Sequence, residues 1–578
     1  MEGDDDRKGN ILDLAAERLK AEQAKTKNPK AKRKSQPGDA KEGEDPATRL
    51  PEGRHATLEI RPGESPELAD EAERILIERD GIFQRSGYLA RLAVAKPETV
   101  HGIQRRDGNI TIVPLDVDYL NDRLNRLIAW RKYSFRMGRT VTCNAPRPVA
   151  STLLSRSGAW NFKQLTGVIT APTLRPDGSL IERPGYDEAT GLLFHADQAF
   201  PPTPQTPSRE DGRAALDYLV DEVLSGFDFA AAHDQAAALS ALLTAAVRPS
   251  LRTAPLHAFS APRPASGKSL LADCVALIVT GRPATNMSFT PDPDESRKRI
   301  LTVLMGGDQV INLDNIEGAL EGDALCSVLT NESYTDRLLG TQRQGTAPTC
   351  VTWLATGNNL TVAGDMTRRV ILCNLDPKTD RPEERVFSRD LYRWIPANRP
   401  ALIVAALTAL RAYIAAGRPP QALRTLGSFE GWSGLIRASL VWLGEADPLL
   451  SRSSIENADP VRRKLRSLLL GWYSTFKAVP ATSNELITLA NLTERNEGGD
   501  EIRRHPELYE ILREHFSDRR GEFKSQDIGE FIKKYQRRIE AGLRFEDAGE
   551  RRDRKLWKVE VSDLSTFNHE MTIFLNLS

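Results

Sequence analysis

A chain of 578 residues cannot close around a single core and should divide into roughly three or four domains. Its 79 lysines and arginines balance 79 aspartates and glutamates, so no overall field selects a polyanionic partner and any basic surface must come from local clustering. Five scattered cysteines without a C-x-x-C pair exclude a disulfide framework or zinc knuckle. The acidic start and the lack of a spanning apolar run exclude a signal peptide and a membrane partner, so a cytoplasmic protein of a bacterial or phage-infected cell is expected.

Residues 1–54, rich in Lys, Glu, Pro and Gly, cannot repay their ordering entropy and read as a disordered charged tail. Residues 55–205 show short apolar runs between turn dipeptides and read as a mixed α/β domain, with "LNDRLNRLIAWRKYSF" expected to be helical. Asp116 and Asp118 in "PLDVDYL" resemble a metal pair but are expected to cap that helix. The role of this region stays open.

Residues 206–395 begin with helical spacing and then alternate β runs with helices, which predicts a parallel sheet with crossover helices. The expected strands are Pro255 to Ser260, Thr285 to Thr290, Gln309 to Asp314, Thr349 to Thr356 and Val370 to Leu375. Residues 396–480 return to helix and form a lid, with "ALIVAALTALRAYIAAG" buried. Residues 481–578 hold a charged helix "SQDIGEFIKKYQRRIEAG", with Ser525 expected as its N-cap, then two strands around a basic turn and a short tail. That outline predicts a winged helix, with Trp557 packing its core.

The stretch "LHAFSAPRPASGKSLLADCVALIV" places Gly267-Lys268-Ser269 between an apolar strand and a helix, as a phosphate-binding loop requires. There, backbone N–H groups face the phosphates, a lysine reaches their outer oxygens and a hydroxyl ligates magnesium. Pro264, Ala265, Ser266, Gly267, Lys268, Ser269 and Leu270 are the expected nucleotide-binding residues, although Pro262 replaces the first glycine of the usual pattern. Asp314 ends a downstream apolar strand and is the expected second magnesium ligand beside Ser269. Asn315 occupies the slot where many ATPases carry a catalytic glutamate, so Glu295, with Glu317 second, is the candidate base. Asn358, at the tip of "CVTWLATGNNL", is placed to sense the γ-phosphate. Arg368 and Arg369 are placed to reach a neighbouring subunit's nucleotide, and Arg385 is a candidate further sensor.

The order of these elements, with "ESYTDRLLG", "RRV" and "PEERVF", resembles the AAA+ helicases of superfamily 3 type carried by phages, plasmids and integrative elements, poxvirus-type primase-helicases among them. The likeness spans about Thr206 to Asp390. It implies a multidomain α/β protein: an AAA+ P-loop core with a parallel sheet, an α/β N-terminal domain, a helical lid and a C-terminal winged helix. It also implies ATP and Mg2+ as cofactors and a homo-hexameric ring pulling single-stranded DNA through its channel. No primase centre is read in the sequence, so a separate primase is an expected partner. In family members a hairpin between the acidic and sensor strands grips DNA, which points to Arg337 and Arg343. Lys533, Lys534, Arg537, Arg538, Arg551, Arg552, Arg554 and Lys555 are the candidate duplex contacts of the last domain. A non-motor ATP-binding initiator and an AAA+ protein remodeller are the competing expectations.

Overall fold

The computed structural model describes residues 56–94, 98–100, 103–105, 108–337, 344–379, 381–384, 389–452, 455, 459–495, 501–518 and 520–576. The expected tail at 1–54, and the candidate residues Arg343 and Arg385, lie outside these. The chain divides into two compact units, one comprising Met1–Leu360 and Arg369–Ser451, the other Thr361–Arg368 and Arg452–Ser578.

The first unit is a mixed α/β structure organised by a seven-stranded sheet. Five parallel strands lie in the order Val370–Asn374, Leu256–Ala261, Thr352–Asn358, Val310–Ile316 and Thr285–Ser288. All five match the expected β runs to within three residues at either end; all but the polar Thr285–Ser288 are largely apolar stretches of strand length bounded by turn chemistry. Leu256–Ala261 is buried along its whole length, as a strand covered on both faces must be. Two short strands from the N-terminal region, Ile103–Arg105 and Glu98–Val100, extend the sheet antiparallel beyond Thr285–Ser288. No pattern in the sequence pointed to that join.

Helix Lys268–Thr280 follows the Leu256–Ala261 strand and is fixed at both ends. Gly281, at φ 74°, closes it with an N–H bond to Leu277 O. Beyond that turn, the buried guanidinium of Arg399 donates to Ile278 O and Val279 O at the helix end, and to Thr170 O. It also pairs with Asp197 at 2.9 Å. Burial lowers the Arg399 pKa to about 10, so it remains charged while satisfying these orphan carbonyls. Asp273, midway along the helix, accepts from Ala284 N at 3.0 Å and from Tyr392 Oη at 2.6 Å. Arg399 and Tyr392 both belong to helix Leu391–Ala415, which contains most of the expected buried apolar run.

Behind the sheet, helix Ala232–Val247 is buried on nearly every side, and its Ser240 Oγ lies 2.9 Å from His257 Nε2. The N-terminal region carries its own core, with Trp130, Leu76, Leu120, Leu124 and Trp160 joining helices Ser65–Arg79, Val117–Leu127 and Arg147–Ser155. Asp116 caps Val117–Leu127, accepting from Asp118 N at 2.9 Å and Tyr119 N at 2.7 Å, as expected, whereas Asp118 does not cap but lies in the first turn and pairs with Arg147. The expected helix over "LNDRLNRLIAWRKYSF" is corrected in its second half. Ile128–Ser134 is a strand, paired with Ala56–Ile60 and Arg139–Cys143. Helical spacing ends at Leu127, and the β-branched and aromatic run after it joins a sheet between a local hairpin partner, Arg139–Cys143, and the distant strand Ala56–Ile60.

The second unit packs helices Pro460–Phe476, Ser483–Ala490, Pro506–Phe516 and Ser525–Tyr535 around Leu465, Trp472, Leu512, Ile528 and Phe545. Antiparallel strands Leu543–Arg551 and Arg554–Val561 follow, and Trp557 is buried in this core and bridges to Ala481. The expected Ser525 cap is corrected. Ser525 is the first helical residue, Lys524 holds the cap position, and no side chain caps the end. The expected short tail is in part a helix, Leu564–Asn576, started by Asp563 accepting from Ser565 N and Thr566 N. All five cysteines are free. Among the described residues no helix is long and apolar enough to cross a membrane.

Candidate nucleotide and nucleic-acid sites

The carboxyl ends of the central strands bring together residues separated by up to ninety positions in the chain. Gly267 takes φ 91° immediately before Lys268, a left-handed turn that swings the chain from the loop into the helix. The N-terminal N–H groups of that helix therefore open onto the strand ends, a geometry that favours an anion. Lys268 Nζ donates to Asn358 Oδ1 at 2.8 Å and to Arg263 O at 3.0 Å. Ser269 Oγ donates to Asp314 Oδ1 at 3.3 Å. Partial burial lowers the Lys268 pKa, and the nearby Asp314 carboxylate opposes that shift. Lys268–Asn358 and Ser269–Asp314 thus form two neighbouring hydrogen-bonded pairs, which group these four residues at the strand ends.

A bulge aims Asp314. Leu313 pairs with Ala355 and Ile316 with Gly357, so Asp314 and Asn315 together oppose Thr356. Thr356 Oγ1 donates to Asp314 Oδ1 at 2.7 Å while accepting from Asn315 N at 3.3 Å. Thr356 is therefore a positioning residue for the carboxylate. Its strand end was visible in the sequence, but its partner depends on the bulge and was not. Asn315 adopts φ 53°, a region that asparagine enters far more readily than glutamate. The backbone here accounts for the residue that replaces the usual acid. Gly357 is required for a different reason: a Cβ there would sit 2.7 Å from Ile316 O and 2.5 Å from Leu360 Cδ1.

The other candidates stand apart from this group. Glu295 is engaged by Arg299 Nε at 3.0 Å, and Arg299 also donates to Ser288 O, the strand end in register with Asp314. Glu317 Oε1 accepts from Asn315 Nδ2 at 3.4 Å. Arg368 is exposed and pairs with Asp365 at 2.9 Å. Arg369 precedes strand Val370–Asn374, and its carbonyl accepts from Leu256 N at 3.0 Å. Ser269 and Asp314 supply two hard oxygens on one side of the loop. Among the described residues no cluster of three His, Cys, Asp or Glu could hold a metal. Two oxygens suit a magnesium ion that keeps waters and phosphate oxygens as its remaining ligands.

The candidate DNA contacts fall into two groups. Strands Ser333–Arg337 and Gln344–Pro348 form the expected hairpin, with Arg337 exposed in the pair next to its tip and Arg343 outside the described residues. In the second unit, Arg537 pairs with Glu546 at 3.3 Å, Lys555 with Asp547 at 2.6 Å, Arg538 with Glu540 at 3.2 Å, and Arg551 with Glu485. Lys533, Lys534, Arg552 and Arg554 are exposed, and none of them forms an ion pair with a described residue.

No protein-family profile matches the chain, and no curated protein aligns with it significantly. Similar solved structures include the NrS-1 C-terminal region at 11% identity, covering 84% of this chain and 98% of that one with a TM-score of 0.36. The SCCmec type IV Cch active helicase aligns at 12% identity over 85% of this chain and 100% of that one, with a TM-score of 0.33. JCV helicase aligns at 13% identity over 44% and 74%, with a TM-score of 0.19. All three scores are low, so the functional reading rests on the geometry of the site.

Proposed function

We propose that the chain is an ATP-hydrolysing DNA helicase of AAA+, superfamily 3 type, working as a hexameric ring in the replication of a phage or mobile element. One observation carries this reading: Lys268, Ser269, Asp314 and Asn358 converge at a helix N-terminus on the carboxyl edge of a parallel sheet. Ligands of open α/β sheets bind at that edge, outside the strand ends. In this reading the helix N–H groups and Lys268 bind the β- and γ-phosphates, and the Ser269–Asp314 pair holds Mg2+, which neutralises phosphate charge when bound. Asn358 contacts the γ-phosphate side of the site, and Thr356 keeps Asp314 oriented. Arg368 or Arg369 completes the site of an adjacent subunit. The second unit, with helices followed by a basic hairpin, serves as a winged helix on duplex DNA, and Arg337 contacts the strand in the channel.

Asn315 favours a second reading, a non-motor initiator whose nucleotide only locks the assembly. Hydrolysis of Mg-ATP with and without single-stranded DNA separates the two. The motor reading predicts DNA-stimulated turnover that Lys268→Ala reduces more than a hundredfold, and six-fold rings with a non-hydrolysable analogue. Background turnover with unchanged rings would support the initiator.

A further inference from the structure

The N-terminal region carries a surface that the nucleotide site does not use. Strands Ile128–Ser134 and Arg139–Cys143 form an antiparallel hairpin whose inner end is anchored by the buried Trp130. Its outer end reads "RKYSFRMGR", Arg131 to Arg139, with four cations and no acid. Tyr133, Phe135 and Met137 are 49%, 91% and 63% exposed, the densest run of exposed large apolar side chains among the described residues. The two rings meet edge to face, with centroids 5.1 Å apart and planes at 82°. Met137 N donates to Ser134 O at 3.1 Å, and Gly138 at φ 59° completes the turn that presents them. Glu59, opposite Arg131 in the neighbouring strand, is the acid facing this group, and it accepts from Thr140 Oγ1 at 3.4 Å. Lys132, Arg136 and Arg139 are exposed and make no ion pair with a described residue.

An exposed apolar tip of this kind lowers solubility and needs an occupant. We infer that this hairpin binds single-stranded nucleic acid, with Phe135 and Tyr133 stacking on unpaired bases and Lys132, Arg136 and Arg139 on the flanking phosphates. Charge complementarity selects a polyanion, and open aromatic faces select one whose bases are free, since a duplex hides them. Three apolar side chains bury too little area to hold a lipid surface, where even one acyl chain binds only marginally. The inference does not depend on ATP hydrolysis.

The test uses the full chain without nucleotide and a fluorescein-labelled oligo(dT) twenty-mer, followed by anisotropy. The double variant Tyr133→Ala, Phe135→Ala should bind about tenfold more weakly or worse, since a base stacked on an aromatic ring contributes roughly 1–3 kcal/mol. Arg136→Ala should reduce the slope of log K against log salt by about 0.7. An oligonucleotide carrying 4-thiothymidine should crosslink within Tyr133 to Met137, and should do so equally in Lys268→Ala, which separates this site from the nucleotide reading. Crosslinks confined to other segments would overturn the inference. So would unchanged affinity and slope, or a double variant that instead loses self-association or binding to anionic phosphatidylserine vesicles. Both rings are exposed, so the variants should retain the parent's thermal unfolding.

Discussion

The strand-end site and the C-terminal hairpin are both rich in polar and charged residues, yet they treat those residues in opposite ways. At the sheet edge, side chains far apart in sequence are brought within hydrogen-bond distance of one another. Lys268 reaches Asn358, and Ser269 reaches Asp314, across strands whose register is fixed by a buried core. In the second unit, cations adjacent in sequence are turned outward, and half of the candidate contacts are matched by acids of the same unit, as Arg537 is by Glu546 and Lys555 by Asp547. A motif that depends on backbone geometry keeps its meaning when the chain folds. A charge run does not, because its net field depends on which acids the fold brings alongside.

The contrast can be broken most sharply through the backbone beneath the strand-end site. Gly357→Ala forces a Cβ to within 2.7 Å of Ile316 O, in a strand locked between parallel neighbours. The expected cost is about 1–3 kcal/mol in urea unfolding, with nucleotide affinity falling in parallel. A silent substitution would mean that the register at Asp314 is softer than the bulge implies.

A second probe is acid. Burial lowers the His257 pKa to about 3, so this residue of the Leu256–Ala261 strand stays neutral when folded. The unfolded chain protonates it near its ordinary value of about 6.5 and so takes up more protons in between. His257 therefore lowers stability as pH falls below about 6.5, by up to about tenfold in the folded-to-unfolded ratio per pH unit. His257→Gln should flatten that limb in urea titrations between pH 4 and 7, and an unchanged limb would assign it to other groups.

The smallest effects should separate two neighbours on the C-terminal hairpin. Arg552→Ala should reduce the salt slope of duplex binding by about 0.9, the contribution of one phosphate contact. Arg551→Ala should change it less, because Arg551 is already paired with Glu485, and should alter stability by less than about 1 kcal/mol. Equal slopes for the two variants would remove the distinction between paired and unpaired cations.

The sequence showed the parallel strands, the Gly267-Lys268-Ser269 turn into a helix, the buried helix Leu391–Ala415 and the C-terminal hairpin, because each is written in local periodicity or turn chemistry. It did not show what depends on long-range pairing. Ile128–Ser134 reads as a continuation of the helix before it, and its parallel partner Ala56–Ile60 is distant in sequence. The bulge at Asp314 was equally hidden. Asn315 looked like the loss of a catalytic acid, whereas its φ of 53° shows a backbone requirement that asparagine meets. Thr356, which orients Asp314, could be placed at a strand end but not given a partner.

Strand separation on a forked duplex, with the parent and Asp314→Asn compared in Mg-ATP, tests the central claim most directly. The account predicts that the parent unwinds the fork only when ATP is hydrolysed. Asp314→Asn should still bind nucleotide but neither hydrolyse it nor separate strands. Unwinding that survives Asp314→Asn, or brisk hydrolysis by the parent with the fork left intact, would contradict it.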